Sequence, residues 1–234
     1  MLKYLLILLP LLIKAQKAEF NLVVNAGMNR LFFDGISQHR FGSHFDVGLR
    51  TLLQIDKKAR IQFNPGIHYT HMDQITKTDE FIYVNLKTRS LDLDLQMLFK
   101  ATSSSSIRLG FEASLMCDVY PIVIYRGIYP GVYSFSGVDV YKGIDQNPIQ
   151  VKLVGGYSIP LRKTESGHYR YRLNITFIQA LNSSLNSPYY VATFTDPYKK
   201  KVMDSGSLVS SLMLGIEYNL LAHKKGKKKE NDLE

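Results

Sequence analysis

The 234-residue sequence has a single cysteine, Cys117, and lacks any run of about 18 or more apolar residues. The lone cysteine excludes an internal disulfide, and the missing apolar run excludes a transmembrane helix. Hydrophobic residues make up 45% of the chain and charged residues 21%, as in an ordinary globular protein. Composition alone therefore gives no indication of a membrane.

The N-terminus does suggest export. The segment "MLKYLLILLPLLIKAQ" has Lys3 near its start, an apolar run over residues 5–13 and Ala15 at a plausible cleavage point. This pattern predicts a secretory signal peptide at residues 1–15, since the run is too short to span a bilayer. No cysteine lies near the cleavage point, which argues against a lipid anchor. The remaining chain is predicted to be either a soluble exported protein or a β-barrel.

The chain is basic, with a formal net charge of +9. Removal of Lys3 and Lys14 with the leader would lower this charge by two, and part of the excess comes from the tail at residues 222–234. An exported chain is not expected to bind nucleic acid. We therefore interpret the tail as a solvated basic periplasmic segment or a contact for anionic partners.

Strict alternation of apolar and polar residues recurs through the chain, as in "SLDLDLQMLFK" at residues 90–100. Side chains alternate between the two faces of a strand, so each such segment predicts a β-strand. We count about eight, near residues 20–33, 43–55, 59–71, 90–100, 107–118, 149–160, 169–181 and 207–220. Most exceed the usual five or six residues of a strand and are long enough to cross a bilayer at a tilt. The sequence thus predicts an all-β, up-and-down antiparallel transmembrane barrel of about eight strands within residues 16–221.

The connections differ in length in an ordered way. Short polar turns, "DKKA", "ATSSSS" and "LRKTESGH", alternate with longer connections, of which the last two have about thirty and twenty-five residues. Outer-membrane barrels have short periplasmic turns and long outer loops. The pattern therefore favours an outer-membrane location.

The alternative is a soluble barrel with its apolar face inside, and the composition of the polar face argues against it. That face carries glycine in most strands together with charges of both signs, which suits the narrow interior of an eight-stranded barrel. The apolar face has almost no ionised residues at strand centres, where facing lipid would cost about 2 to 4 kcal/mol. We predict a polar network in the lumen that comprises Arg50, Arg60, Asp92, Asp94, Arg108, Glu112, Arg172 and Glu217.

Several segments of the chain resemble the PorT-like family of small outer-membrane β-barrel proteins of Gram-negative bacteria. They are the leader ending "AQ", "NAGMN", "LDLDLQMLFKA" with "IRLGFEASL", "GGYSIPL" and "LGIEYNLL". The resemblance implies a barrel of about eight strands, and in the best-understood branch a role in protein secretion. The lysine-rich tail after Leu220 departs from it, because many such barrels end at an aromatic residue of the last strand.

No catalytic motif, cofactor or metal site is predicted. His68 is expected to face the lumen and His71 the lipid, so the two are not expected to act as a pair, and together with Asp73 they form only a weak candidate metal cluster. Asp92 and Asp94 could serve as an acid–base pair, but salt bridges to arginines are the preferred interpretation. A lipid-modifying hydrolase and a narrow solute channel remain as alternatives.

The two longest connections are rich in tyrosine. Tyrosine interleaved with glycine and serine is typical of binding surfaces, whereas an aromatic girdle at the membrane interface is the simpler interpretation. The candidates for partner binding are Tyr125, Tyr129, Tyr133, Tyr141, Tyr189 and Tyr190. Outer-membrane lipid, lipopolysaccharide and possible envelope or secretion proteins are the expected partners of a structural or accessory protein.

Overall fold

The computed structural model describes residues 18–32, 39–56, 58, 60–77, 82–102, 104–125, 140–141, 147–163, 169–183, 189–193, 196–203 and 208–220. The predicted leader and the basic tail lie outside these residues. Within the described ranges, no helix is both long enough and apolar enough to cross a membrane.

The described residues form twelve β-strands. These are β1 (Ala18–Phe32), β2 (His39–Arg40), β3 (Gly42–Gln54), β4 (Ile61–Lys77), β5 (Ile82–Thr102), β6 (Ser105–Tyr125), β7 (Val140–Tyr141), β8 (Ile149–Lys163), β9 (Tyr169–Ala180), β10 (Tyr189–Thr193), β11 (Asp196–Met203) and β12 (Leu208–Asn219). The eight long strands match the eight alternating segments of the sequence.

These eight strands close into a barrel. Every neighbouring pair is antiparallel, in the order β1, β3, β4, β5, β6, β8, β9 and β12, and β12 returns to pair with β1. Closure leaves no free edge around the wall, as an up-and-down barrel requires. The predicted fold class is therefore confirmed.

The two ends of the barrel differ. The connections β3–β4, β5–β6 and β8–β9 lie at one end, here called the turn rim, where β1 begins and β12 ends. The other four connections, β1–β3, β4–β5, β6–β8 and β9–β12, lie at the opposite end, here called the loop rim. The prediction that every short connection lies at one rim was wrong for β4–β5, because both strands continue beyond their alternating segments and leave only residues 78–81 between them.

Burial along the strands is the reverse of that in a soluble barrel. In β5, Asp92, Asp94 and Gln96 are completely buried, whereas Leu93 and Leu95 are exposed. The same alternation runs along β3, β9 and β12. The polar face therefore lines the lumen and the apolar face forms the exterior.

Candidate functional site

The lumen contains a cluster of arginines and carboxylates at the centre of the barrel. Arg50 on β3 donates from Nε to Asp94 Oδ2 at 2.7 Å and from Nη1 to Glu217 Oε1 at 3.0 Å. Arg108 on β6 lies 3.1 Å from the same Glu217 oxygen. Arg172 is 3.9 Å from the other Glu217 oxygen and 2.6 Å from Glu19 Oε2. A single carboxylate, that of Glu217, thus contacts three arginines from three strands.

A second cluster surrounds Lys152 on β8. Its ammonium group lies 2.7 Å from Glu112 Oε1 and 3.1 Å from Asp92 Oδ2. Thr70 donates to the same Asp92 oxygen at 2.6 Å. Lys152 is therefore held by two carboxylates, and its charge is compensated inside the barrel.

His68 lies beside the arginine cluster. Its Nδ1 is 3.4 Å from Asp46 Oδ1 and its Nε2 is 3.4 Å from Asp94 Oδ2. Asn25 donates to the same Asp46 oxygen at 2.6 Å. Because Asp94 also binds Arg50, the imidazole extends the arginine cluster toward β3 and β1.

Glycines make room for these long side chains. A Cβ atom at Gly66 would lie 2.6 Å from Arg50 Cγ and 2.9 Å from His68 Nε2. A Cβ at Gly110 would lie 2.9 Å from Gln96 Cγ. The lumen of an eight-stranded barrel is only wide enough for its own side chains, and glycine at these two positions leaves room for Arg50, His68 and Gln96.

The lumen is filled by side chains. Arg108, Gln96, His68 and Glu217 are among the largest side chains of the described residues with almost no solvent exposure. Gln96 links the arginine cluster internally, since it accepts from Arg108 Nε at 2.9 Å and donates to Asp94 at 2.8 Å. The interior is thus a packed polar core.

Most of the predicted network residues lie together in this core. Seven of the eight are buried in the lumen: Arg50, Asp92, Asp94, Arg108, Glu112, Arg172 and Glu217. The prediction for Arg60 was wrong, because its side chain is exposed in the turn before β4. That strand begins at Ile61, so the turn takes Arg60 away from the lumen.

The predicted network omitted four ionisable residues that belong to these clusters: Lys152, His68, Asp46 and Glu19. Three of them lie on the polar face of strands that the sequence identified, so the signal was present. Glu19 precedes the predicted start of the first strand, but it is in phase with Asn21 and belongs to β1.

A serine and a histidine also meet in the lumen. His44 Nδ1 and Ser211 Oγ lie 2.8 Å apart, and both side chains are buried. His71 lies on the opposite face of β4 from His68 and is 3.6 Å from Asp73. Among the described residues, no group of three or more His, Cys, Asp or Glu side chains is placed to hold a metal ion.

Of the six tyrosine candidates, the structure describes the backbone of Tyr125, Tyr141, Tyr189 and Tyr190. Tyr129 and Tyr133 fall outside the described residues. Tyr125 ends β6, whereas Tyr141 in β7 is opposite Tyr190 in β10, next to Tyr189. The backbone therefore brings together the two tyrosine-rich connections.

The outer face of the barrel identifies the class of protein. Exposed apolar side chains cover the wall, such as Leu95 on β5, Phe111 on β6 and Leu214 on β12. A closed sheet with an apolar exterior and a charged, compensated interior is the form in which β-strands cross a lipid bilayer. The chain is a transmembrane β-barrel of the outer-membrane type.

Comparison with known proteins gives no family. No protein-family model matches the chain, and no curated protein matches it. Among solved structures it is similar to Neisserial surface protein A, with 15% identity over 87% of this chain and 99% of that chain and a TM-score of 0.45. It is also similar to Ail, the attachment invasion locus protein of Yersinia pestis, with 11% identity, the same two coverages and a TM-score of 0.43.

Proposed function

We propose that this protein is a non-enzymatic accessory barrel of the outer membrane that binds another envelope protein above the membrane surface. The observation that carries the proposal is the length of the hairpin formed by β5 and β6. Each of these strands has 21 residues, about twice what a tilted strand needs to cross a bilayer.

The apolar band ends well before the hairpin does. On β5 the outward apolar residues run from Phe99 up to Leu91, and the next outward residues are Arg89 and Lys87. Residues 82–89 therefore continue beyond the band for about 26 Å along the strand at about 3.3 Å per residue. The upper part of β6 accompanies them, with Ile82 opposite Tyr125.

One edge of this projecting hairpin has no partner strand among the residues that the structure describes. β6 pairs with β8 up to Leu115 opposite Ile149, and the Met116 N–H donates to the Pro148 carbonyl at 3.1 Å. Among the strands that the structure describes, none pairs with residues 117–125 on that side. An extended segment of another protein could add there as a further strand.

The tyrosine-rich strands favour the same role. Pairing of Tyr141 with Tyr190 joins the two longest connections into one small sheet. Tyrosine provides contact area at low entropic cost, as binding surfaces require. Together with the resemblance to PorT-like barrels, this supports a partner engaged in secretion or envelope assembly.

The two alternatives have less support. The His44–Ser211 pair has the spacing of a nucleophile and its base, but both side chains are buried in the lumen, away from the lipid that a hydrolase would have to bind. A solute channel is disfavoured by the packed interior around Arg108 and Gln96.

Photocrosslinking in living cells would test the proposal. A photoreactive amino acid at residue 122, on the projecting part of β6, should give a protein adduct of one discrete size. The same probe at Phe111, on the lipid-facing part of the same strand, is the matched control and should give none. Equal labelling at both sites would contradict a partner site on the hairpin.

A proline test identifies the edge itself. Successive N–H groups of a strand point to opposite edges, so of Val123→Pro and Ile124→Pro one removes a donor from the free edge and leaves the pairing with β5 intact. That variant should keep the heat-modifiable migration of a folded barrel and lose the adduct. Retention of the adduct by every folded proline variant would rule out strand addition.

A further inference from the structure

The turn rim carries a basic patch formed by Lys58, Arg60 and Lys100, all of which are exposed. We propose that this patch binds the phosphate groups of anionic phospholipids in the periplasmic leaflet. The short turns of outer-membrane barrels face the periplasm, so the patch lies on that side of the membrane.

The backbone holds these cations together. The Lys100 N–H donates to the Arg60 carbonyl at 2.8 Å, so the end of β5 is tied to the turn that precedes β4. The same turn is closed by a bond from the Ile55 N–H to the Ile61 carbonyl at 3.2 Å. Lys58 lies within this turn, between Ile55 and Ile61 in the chain.

The patch lies at the depth of lipid headgroups. Ile61 and Phe99 are opposite each other on β4 and β5, directly next to Arg60 and Lys100, and both are exposed. They form the last outward apolar pair before the turn. Cationic side chains at this boundary can keep their apolar stems on hydrocarbon while the charged ends reach phosphate oxygens.

The acidic residue of the same turn does not cancel the patch. Asp56 accepts the Ile61 N–H at 2.9 Å, and this bond lowers the pKa of the carboxyl group. Asp56 is therefore ionised at neutral pH, but it contributes only one negative charge against the three positive charges of the patch. The patch retains a net positive charge.

The patch contains three cations in one turn and in the strand end that is bonded to it. Clusters of Lys and Arg beside a membrane attract anionic lipids, each cation contributing up to about a fivefold preference.

The loop rim provides a contrast on the same strands. Lys87 is opposite Asp73 across the β4–β5 pair, and Arg89 is opposite Asp118 across the β5–β6 pair. Each of these two cations is opposite a carboxylate in register. The lipid preference is therefore expected from the turn rim and not from the loop rim.

The test uses the full chain reconstituted in phosphatidylcholine vesicles with a trace of spin-labelled lipid. We expect wild-type protein to retain spin-labelled phosphatidylglycerol several-fold more strongly than spin-labelled phosphatidylcholine. Lys58→Gln with Arg60→Gln and Lys100→Gln should lower this ratio by at least threefold. The matched control, Lys87→Gln with Arg89→Gln, should leave it unchanged, and heat-modifiable migration checks that each variant is folded.

Three results would overturn the assignment. They are equal retention of the two lipids by the wild type, a ratio unchanged in the folded triple variant, and an equal decrease in the loop-rim control. Addition of inorganic phosphate at constant ionic strength distinguishes binding of the lipid phosphate group from binding of the free phosphate ion. If it abolishes the preference, the patch is a site for the free ion; if the preference persists, the lipid assignment is supported.

Discussion

Arg50 and Glu217 form a buried ion pair across strands that are not neighbours in the sheet. Arg50 is on β3 and Glu217 on β12, with β1 between them, and Nη1 lies 3.0 Å from Oε1. Arg108 approaches the same oxygen from β6, on the far side of the lumen. The ion pair therefore connects β3 and β12, two strands of the wall that share no backbone hydrogen bonds.

Glu217→Gln should destabilise the barrel strongly, since it leaves three arginines without their common carboxylate. Removal of one partner from a buried ion pair costs about 3 to 5 kcal/mol. The loss would be measured as the free energy of unfolding in a urea titration of the protein in lipid vesicles.

Asp118→Asn is the control for Glu217→Gln, because Asp118 is an exposed acid on β6. Exposed ion pairs contribute about 0 to 1 kcal/mol. Similar small losses for both variants would show that the interior is hydrated enough to replace the carboxylate.

Two neighbouring glycines on β8 should respond differently to alanine. A Cβ atom at Gly156 would collide with the backbone carbonyl of Ile175 on β9, whereas one at Gly155 meets only Leu109 Cδ2 at 3.9 Å. Overpacking of this kind costs about 1 to 3 kcal/mol. We expect Gly156→Ala to lower the midpoint of urea unfolding and Gly155→Ala to leave it nearly unchanged.

The reverse result, with Gly155→Ala the more damaging, would mean that the two faces of β8 are exchanged. The comparison is well matched, since the same atoms are added to adjacent residues of one strand.

The fold was predictable from the sequence because the barrel depends on a period of two. Leu91, Leu93 and Leu95 alternate with Asp92 and Asp94, and a wrong register would place charges in lipid, so each strand admits one orientation. The strand ends were less predictable: β5 begins at Ile82, well before the alternating segment that identified it. Outside the apolar band, no lipid constrains the pattern.

The composition of the lumen was predictable but its pairing was not. The polar face identified Arg50, Arg108 and Glu217, yet their contacts depend on which strands face each other across the barrel. Glu217 illustrates this, because its partners Arg50 and Arg108 come from β3 and β6, neither of which pairs with β12. The prediction that Arg60 lies in the lumen was wrong because the alternation of side chains in a strand does not continue through a turn.

Lys152→Met should lower the free energy of unfolding, because its two carboxylate partners then repel each other without a shared cation. Asp92 and Glu112 would be left as buried carboxylates without their shared cation, at a cost of about 3 to 5 kcal/mol. Adding Glu112→Gln to Lys152→Met removes one of these charges, so the double variant should be more stable than the sum of the single losses predicts. Urea titrations of the four proteins would give a coupling of about 0.5 to 3 kcal/mol. Strict additivity would show that Lys152 and Glu112 do not interact.

The orientation of the two faces can be tested by placing the same charge at two depths on the β5–β6 hairpin. Leu93 is in the middle of the outward apolar series of β5, whereas Cys117 on β6 is exposed and lies beyond Leu115, the residue opposite Leu91. Arginine facing lipid costs about 2 to 4 kcal/mol at the membrane midplane and about 0 to 1 kcal/mol near the interface. Leu93→Arg should therefore lower the free energy of unfolding in vesicles far more than Cys117→Arg does. Because arginine at an exterior position in water would be harmless, equal small effects at both sites would show that Leu93 does not face lipid.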